Sequence, residues 1–132
     1  EIMDIFAGQE LGSIAFDRWR IDVFKKEAER LGVDLPLVEF GQGFKDMAPA
    51  LDELEKYLLN ASLSHDMHPV LTMCAANAVI TQDPAGNRKL DKHKATGRID
   101  GMVALAMAVG SMANEDDQEP PSPWEDENFS IL

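Results

Sequence analysis

Short apolar runs alternate with stretches of helical periodicity along residues 1–113, and this alternation constrains the fold more than any other feature. Residues 1–9 predict a helix or helix end. Gly12, Ser13, Ile14, Ala15 and Phe16 predict a short strand that ends at Asp17. Ile21, Phe24, Ala28 and Leu31 follow at helical spacing, and Gly32 stands where a helix C-terminus stops. Residues 35–40 predict a second strand, closed by Gly41-Gln42-Gly43. Met47, Ala50, Leu51, Leu54, Tyr57 and Leu58 mark one face of an amphipathic helix that tolerates Pro49 in its first turn and ends at Asn60.

Leu63-Ser64-His65 predicts a brief edge strand, and residues 69–78 a further helix. Residues 79–90 predict a hairpin turning at Asp83-Pro84-Ala85-Gly86-Asn87, a dense cluster of turn formers. The last helix is expected over residues 99–112. Its inward stripe is Ile99, Met102, Val103, Ala106, Met107 and Gly110, with small residues suited to close packing against a sheet. The pattern predicts an α/β or α+β domain, a sheet with helices on its faces, over residues 1–113. Residues 114–132 form an acidic, Pro-rich tail that composition assigns to an extended or disordered segment. Its Trp124, Phe129, Ile131 and Leu132 suit either a docking peptide or a loose tail.

Charge limits the partners unevenly. The chain of 132 residues has a net charge of −12, but seven of its acids and none of its Lys or Arg fall in residues 114–132. The first 113 residues carry 17 acids against 12 bases, a net of −5. Within them Arg88, Lys89, Lys92, Lys94 and Arg98 lie in eleven positions, joined by His93. Such a patch can contact phosphates on an acidic protein because salt screens the distant charges. No run reaches the ~20 apolar residues of a membrane span, and no basic-then-apolar signal segment opens the chain. Cys74 is the one cysteine, which excludes an internal disulfide and a cysteine-built zinc site and fits a reducing compartment. The chain opens on Glu1 rather than Met, so a domain cut from a longer protein is expected.

Two acids stand out. Asp17 lies at the carboxyl end of an apolar strand, where open α/β sheets place their sites, and could equally cap a helix starting near Arg18 or Trp19. Asp100 lies in the first turn of the last helix, where the helix dipole alone favours an acid. The alternative for both is convergence on Mg²⁺ or Mn²⁺, which take oxygen ligands and keep waters for substrate phosphates. The basic segment 88–98 runs directly into Asp100. Gly41-Gln42-Gly43-Phe44-Lys45-Asp46 lacks the Gly-Lys-Ser/Thr ending of a phosphate loop and reads as a strand-to-helix turn. Asp46 could cap the next helix, and Gln42 and Lys45 could touch a phosphate. His65 and His68 are three apart, but Pro69 spoils a helical ligand face, so both read as surface or packing residues.

Taken together, three blocks resemble the C-terminal nuclease domain of phage terminase large subunits, the DNA-packaging motors of tailed phages and prophages. They are Ala15-Phe16-Asp17-Arg18-Trp19-Arg20, Phe40-Gly41-Gln42-Gly43-Phe44-Lys45-Asp46-Met47 and Arg98-Ile99-Asp100-Gly101-Met102-Val103-Ala104-Leu105, supported by Pro69-Val70-Leu71 and Asn77-Ala78-Val79. The resemblance covers residues 1–113. It implies an RNase H-like mixed sheet flanked by helices, lacking its first strand or strands here, and metal-dependent cutting of concatemeric double-stranded DNA. It implies that Asp17 and Asp100 are catalytic metal ligands for Mg²⁺ or Mn²⁺, two ions in the complete domain, with a further acid upstream of Glu1. Arg88, Lys89, Lys92, Lys94, Arg98 and Lys45 would then contact DNA. The implied partners are the small terminase subunit and the portal, in the host bacterial cytoplasm, with no membrane. An exposed sheet edge would favour self-association of the fragment. A non-catalytic prophage remnant or interaction module of the same fold is the rival reading. Another RNase H-like nuclease, a resolvase or transposase, is the third.

Overall fold

The computed structural model describes residues 2–5, 7–19 and 21–116. Its order is α1 (Ile2–Ile5), β1 (Ile14–Phe16), α2 (Ile21–Arg30), β2 (Leu37–Glu39), α3 (Phe44–Leu59), α4 (Pro69–Asn77), β3 (Ile80–Gln82), β4 (Arg88–Leu90) and α5 (Asp100–Asp116). The expected elements are present except the edge strand at Leu63-Ser64-His65, which is irregular backbone. Both histidines turn their rings to local work there. His65 Nδ1 accepts from the Met67 amide at 3.2 Å, and His68 Nδ1 caps α4 by accepting from the Val70 amide at 3.3 Å. Helix α5 runs to Asp116, past the expected end at residue 112 and the domain boundary at 113. The remaining tail, with Trp124 and Phe129, lies outside the described residues.

Among the described residues the strands do not join into one mixed sheet. β1 and β2 pair in parallel, Ile14 opposite Leu37 and Phe16 opposite Glu39, with α2 as their crossover. β3 and β4 form a separate antiparallel hairpin, with Ile80 opposite Leu90. The Asp83 carboxylate locks the hairpin turn. It accepts from the amides of Ala85 (3.0 Å) and Asn87 (2.8 Å) and from the Asn87 side chain (2.8 Å). The hairpin then packs on α3, where the Arg88 guanidinium meets Asp52 at 2.6 Å and Glu55 at 2.7 Å.

The core is the crossing of α3 and α5. Met47, Ala50, Leu51 and Leu54 from α3 meet Ile99, Val103, Ala106, Met107 and Val109, with Phe40 closing one end. The small residues of α5 serve this helix crossing and the neighbouring α4 rather than only a sheet face. A Cβ on Gly110 would lie 2.7 Å from both Ala50 Cβ and Phe40 Cζ, and one on Gly101 would lie 3.2 Å from Cys74 Sγ. Cys74 is buried, as a small apolar residue would be. The stripe of α2 is less well used. No α2 residue is fully buried, and Val23 and Phe24 face outward, because α2 lies off the α3–α5 crossing. Gly32 has φ +65°, the left-handed stop expected at the end of that helix.

Candidate nuclease site

The chemistry-bearing residues collect where β1, the hairpin end and the start of α5 approach. A cleft of about 380 Å³ is lined by Asp17, Gln42, Met47, Lys89, Leu90, Asp91, Lys92, His93 and Val103. A second cleft is lined by Lys92, Gly97, Arg98, Ile99 and Asp100. Lys92 belongs to both and places Asp17 and Asp100 in adjoining hollows.

Asp17 follows directly on β1 and is exposed. Its Oδ1 accepts from the Trp19 amide at 3.3 Å, which fixes a local turn. It does not cap α2, whose first residue is Ile21. The cap that the spacing allowed for Asp17 is thus a turn contact, and among the described residues its second carboxylate oxygen meets no side-chain donor. Asp100 opens α5 and is flanked by two cations, Lys92 Nζ at 3.7 Å and Arg98 Nη1 at 3.9 Å. Both pairs are long and solvent-exposed, so they contribute little to stability. They do show that this corner gathers cations around an acid.

The basic residues divide by what they touch. Lys92, Lys94 and Arg98 are exposed. Lys89 lines the first cleft, with its ammonium 4.8 Å from the Phe44 ring centroid. Arg88 is engaged elsewhere. The hydrogen bonds it donates, to Glu55 first and then to Asp52, hold its guanidinium above its already high ordinary pKa, and its side chain is only 23% exposed. Its first task is to fasten the hairpin to α3. Lys45 is exposed in the first turn of α3 and lines neither cleft. Asp46 lies beside Gly41, leaving Gly43 to begin α3 without a side-chain cap. Gln42 lines the first cleft, and its Nε2 donates to Met107 Sδ at 3.0 Å.

Two residues that the sequence pattern did not single out as site residues organise this corner. Asp91 lies between Lys89 and Lys92, and its Oδ1 accepts from the amides of His93 at 2.9 Å and Lys94 at 3.1 Å. Those bonds, the Lys94 amide foremost, hold its carboxyl below the usual range despite some desolvation. The acid at the first position of Asp91-Lys92-His93-Lys94 was the available signal, since Asp favours turn starts. Asn77 ends α4 and spans the approach to α5. Its Nδ2 donates to the Arg98 carbonyl at 3.2 Å, and its Oδ1 accepts from Thr96 Oγ1 at 3.2 Å. Gly97 permits this, since a Cβ there would lie 2.7 Å from Asn77 Nδ2.

Asp17 and Asp100 are hard oxygen donors, the type Mg²⁺ and Mn²⁺ prefer, and one or two carboxylates suffice to hold Mg²⁺ beside substrate phosphates. Among the described residues no three or more His, Cys, Asp or Glu side chains are grouped to hold a metal. The donor chemistry therefore fits, while the ligand set within these residues is limited to separate carboxylates.

Comparison with known proteins identifies the family. The family described as terminase large subunit, endonuclease domain, matches residues 2–116. The large terminase subunit of Enterobacteria phage HK97 is 64% identical over 115 residues, 87% of this chain and 23% of that protein. The protein YmfN of Escherichia coli K12 is 37% identical over 79 residues, 58% of this chain and 17% of that protein. The crystal structure of the HK97 bacteriophage large terminase superposes with a TM-score of 0.79 at 65% identity, covering 83% of this chain and 23% of that one. The chain thus spans under a quarter of the length of these relatives. With a family match over nearly all the described residues and a close structural counterpart, this chain belongs to the terminase large subunit, endonuclease domain family.

Proposed function

We propose that this domain is the metal-dependent endonuclease portion of a phage DNA-packaging terminase, cutting concatemeric double-stranded DNA in the host bacterial cytoplasm. The observation that carries this reading is the pair of adjoining clefts, one holding Asp17 and the other Asp100, bridged by Lys92 and rimmed by cations. Asp17 and Asp100 would hold Mg²⁺ or Mn²⁺, in a two-ion site of the complete domain. When bound, such ions supply activation of water and charge neutralisation at the leaving oxygen. Lys89, Lys92, Lys94 and Arg98 hold the DNA backbone, with Lys45 a more distant contact. These are phosphate contacts, so little sequence preference arises here.

The parallel β1–β2 pair with its helical crossover suits an RNase H-like sheet. Among the described residues β1 pairs only with β2. A groove of about 520 Å³ is lined by residues 11–15 and by Ala104, Ala108 and Met112 of α5. A further strand bearing another acid would pair with β1 there in the complete domain. In its absence the same edge favours self-association. The small terminase subunit and the portal are the partners that this role implies.

The test is cleavage of linear duplex DNA by a full-length terminase large subunit carrying this domain. Cutting should require Mn²⁺ or Mg²⁺ and stop on chelation; no cutting at any metal concentration would defeat the reading. A second reading for the isolated chain, which spans under a quarter of its relatives' length, is a non-catalytic module. Saturable Mn²⁺ binding with nicking by the 132-residue chain supports the enzyme, and neither effect supports the module.

The basic residues separate in a salt titration of duplex binding. Lys92→Ala should lower the slope of log affinity against log salt by about 1, the loss of one phosphate contact. Arg88→Gln should leave that slope unchanged and lower stability by roughly 1 kcal/mol, because its ion pairs hold the hairpin on α3. A reduced slope in Arg88→Gln at unchanged stability would reverse the assignment.

A further inference from the structure

An acid in a phosphate-binding cleft opposes the ligand, and Asp91 lines the same cleft as Lys89 and Lys92. Its presence needs a compensating role. Among the described residues every hydrogen-bonding part of Asp91 except Oδ2 has a partner. Its amide donates to the Val79 carbonyl at 2.8 Å, tying it to the start of the hairpin. Its carbonyl accepts from the Ala95 amide at 3.1 Å, closing one helical turn. Its Oδ1 accepts from the amides of His93 and Lys94. The turn between these bonds carries Lys92, His93 and Lys94, and Lys92 reaches Asp100. Because Asp91 takes up the amides of His93 and Lys94, phosphate contact by these residues falls to their side chains.

We infer that Asp91 is a positioning residue, one that clamps the turn presenting Lys92, His93 and Lys94 to the DNA backbone. The inference rests on the DNA-contact reading proposed above. It assigns Asp91 no bond to a metal. What the role needs is a side-chain oxygen that accepts two amide bonds, and Asn supplies that as well as Asp does at such a position. The negative charge itself works against binding.

This separation sets opposite signs for two substitutions in duplex binding by the 132-residue chain, measured by fluorescence anisotropy at about 50 mM salt. Asp91→Asn keeps the clamp and removes a repulsive charge, so its affinity should equal or exceed that of the unmodified chain. Asp91→Ala removes the same charge but frees the turn, and its affinity should fall roughly three- to tenfold. Asp91→Ser, a neutral capping residue, should resemble Asn and guards against an Ala variant that folds poorly. Amide hydrogen exchange at His93 and Lys94 gives an independent readout: protection persists in Asn and Ser and is lost in Ala.

Tighter binding by both Asn and Ala would reduce Asp91 to a charge and overturn the inference. Equal weakening in Asn, Ser and Ala would make the carboxylate itself the active group and overturn it equally. Both outcomes leave the DNA-contact reading standing. Absence of duplex binding by the unmodified chain would overturn that reading and the inference with it.

Discussion

Replacing Asp17 or Asp100 by Asn is expected to abolish metal-dependent cleavage by a full-length terminase large subunit carrying this domain, with the fold unchanged. A metal-held transition state owes several kcal/mol to its ligands. A loss of about 4 kcal/mol is roughly a thousandfold in rate. The fold should barely respond. Asp17 is exposed, and its hydrogen bond from the Trp19 amide can be accepted by an Asn oxygen. Asp100 is exposed beside long ion pairs to Lys92 and Arg98, so its loss costs little beyond a helix-dipole contribution of roughly 0.3–1 kcal/mol. The measurement is single-turnover cleavage of linear duplex in Mn²⁺, with thermal melting as the control. Unmodified rates in either variant would remove that residue from the site.

The second large effect concerns stability. Gly110→Ala should destabilise the domain by roughly 1–3 kcal/mol, the usual range for an overpacked core, lowering Tm by several degrees. Helix propensity alone gives the opposite sign, since Ala is favoured over Gly by about 1 kcal/mol inside a helix. Packing wins here because the added methyl meets Ala50 Cβ and the Phe40 ring at 2.7 Å, and Ala50 is fixed to the backbone of α3. Adding Ala50→Gly should recover part of the loss by moving the small residue to the facing helix. A higher Tm in Gly110→Ala would show that propensity governs this position and that α3 and α5 are free to separate.

The two expected effects differ in how far they were legible. The blocks around Asp17, Gly41 and Asp100 pointed to the family, and comparison bears that out. The inward stripe of α5 was also legible. Ile99, Val103, Ala106, Met107 and Gly110 recur at helical spacing and are buried, with Met102 at the margin. What they meet was not legible. A stripe of small residues reads the same whether its neighbour is a sheet or a helix, and here α3 supplies much of the contact. Periodicity likewise placed the apolar face of α2 without revealing that it stays partly uncovered, because burial depends on where neighbouring elements settle. The brief strand expected at residues 63–65 failed for a related reason. Three residues of strand character form a strand only beside a partner with free backbone groups, and the local backbone turns instead through positive φ at Asp66 and Met67.

By itself the sequence determined the family, the order of helices and the hairpin, the helix-stopping role of Gly32, and the two acids as candidate ligands. Periodicity, turn chemistry and motif residues are local properties of the chain, so they survive without coordinates. Only the tertiary structure decided that the strands form two separate ladders and that Arg88 fastens the hairpin to α3. It alone showed that Lys92 bridges the hollows of Asp17 and Asp100, and that Asp91 and Asn77 hold the segments between them. Those outcomes rest on contacts between residues distant along the chain or on side-chain directions within a turn. Composition and spacing leave both undetermined, because the same charged residue can face solvent, a phosphate or another helix.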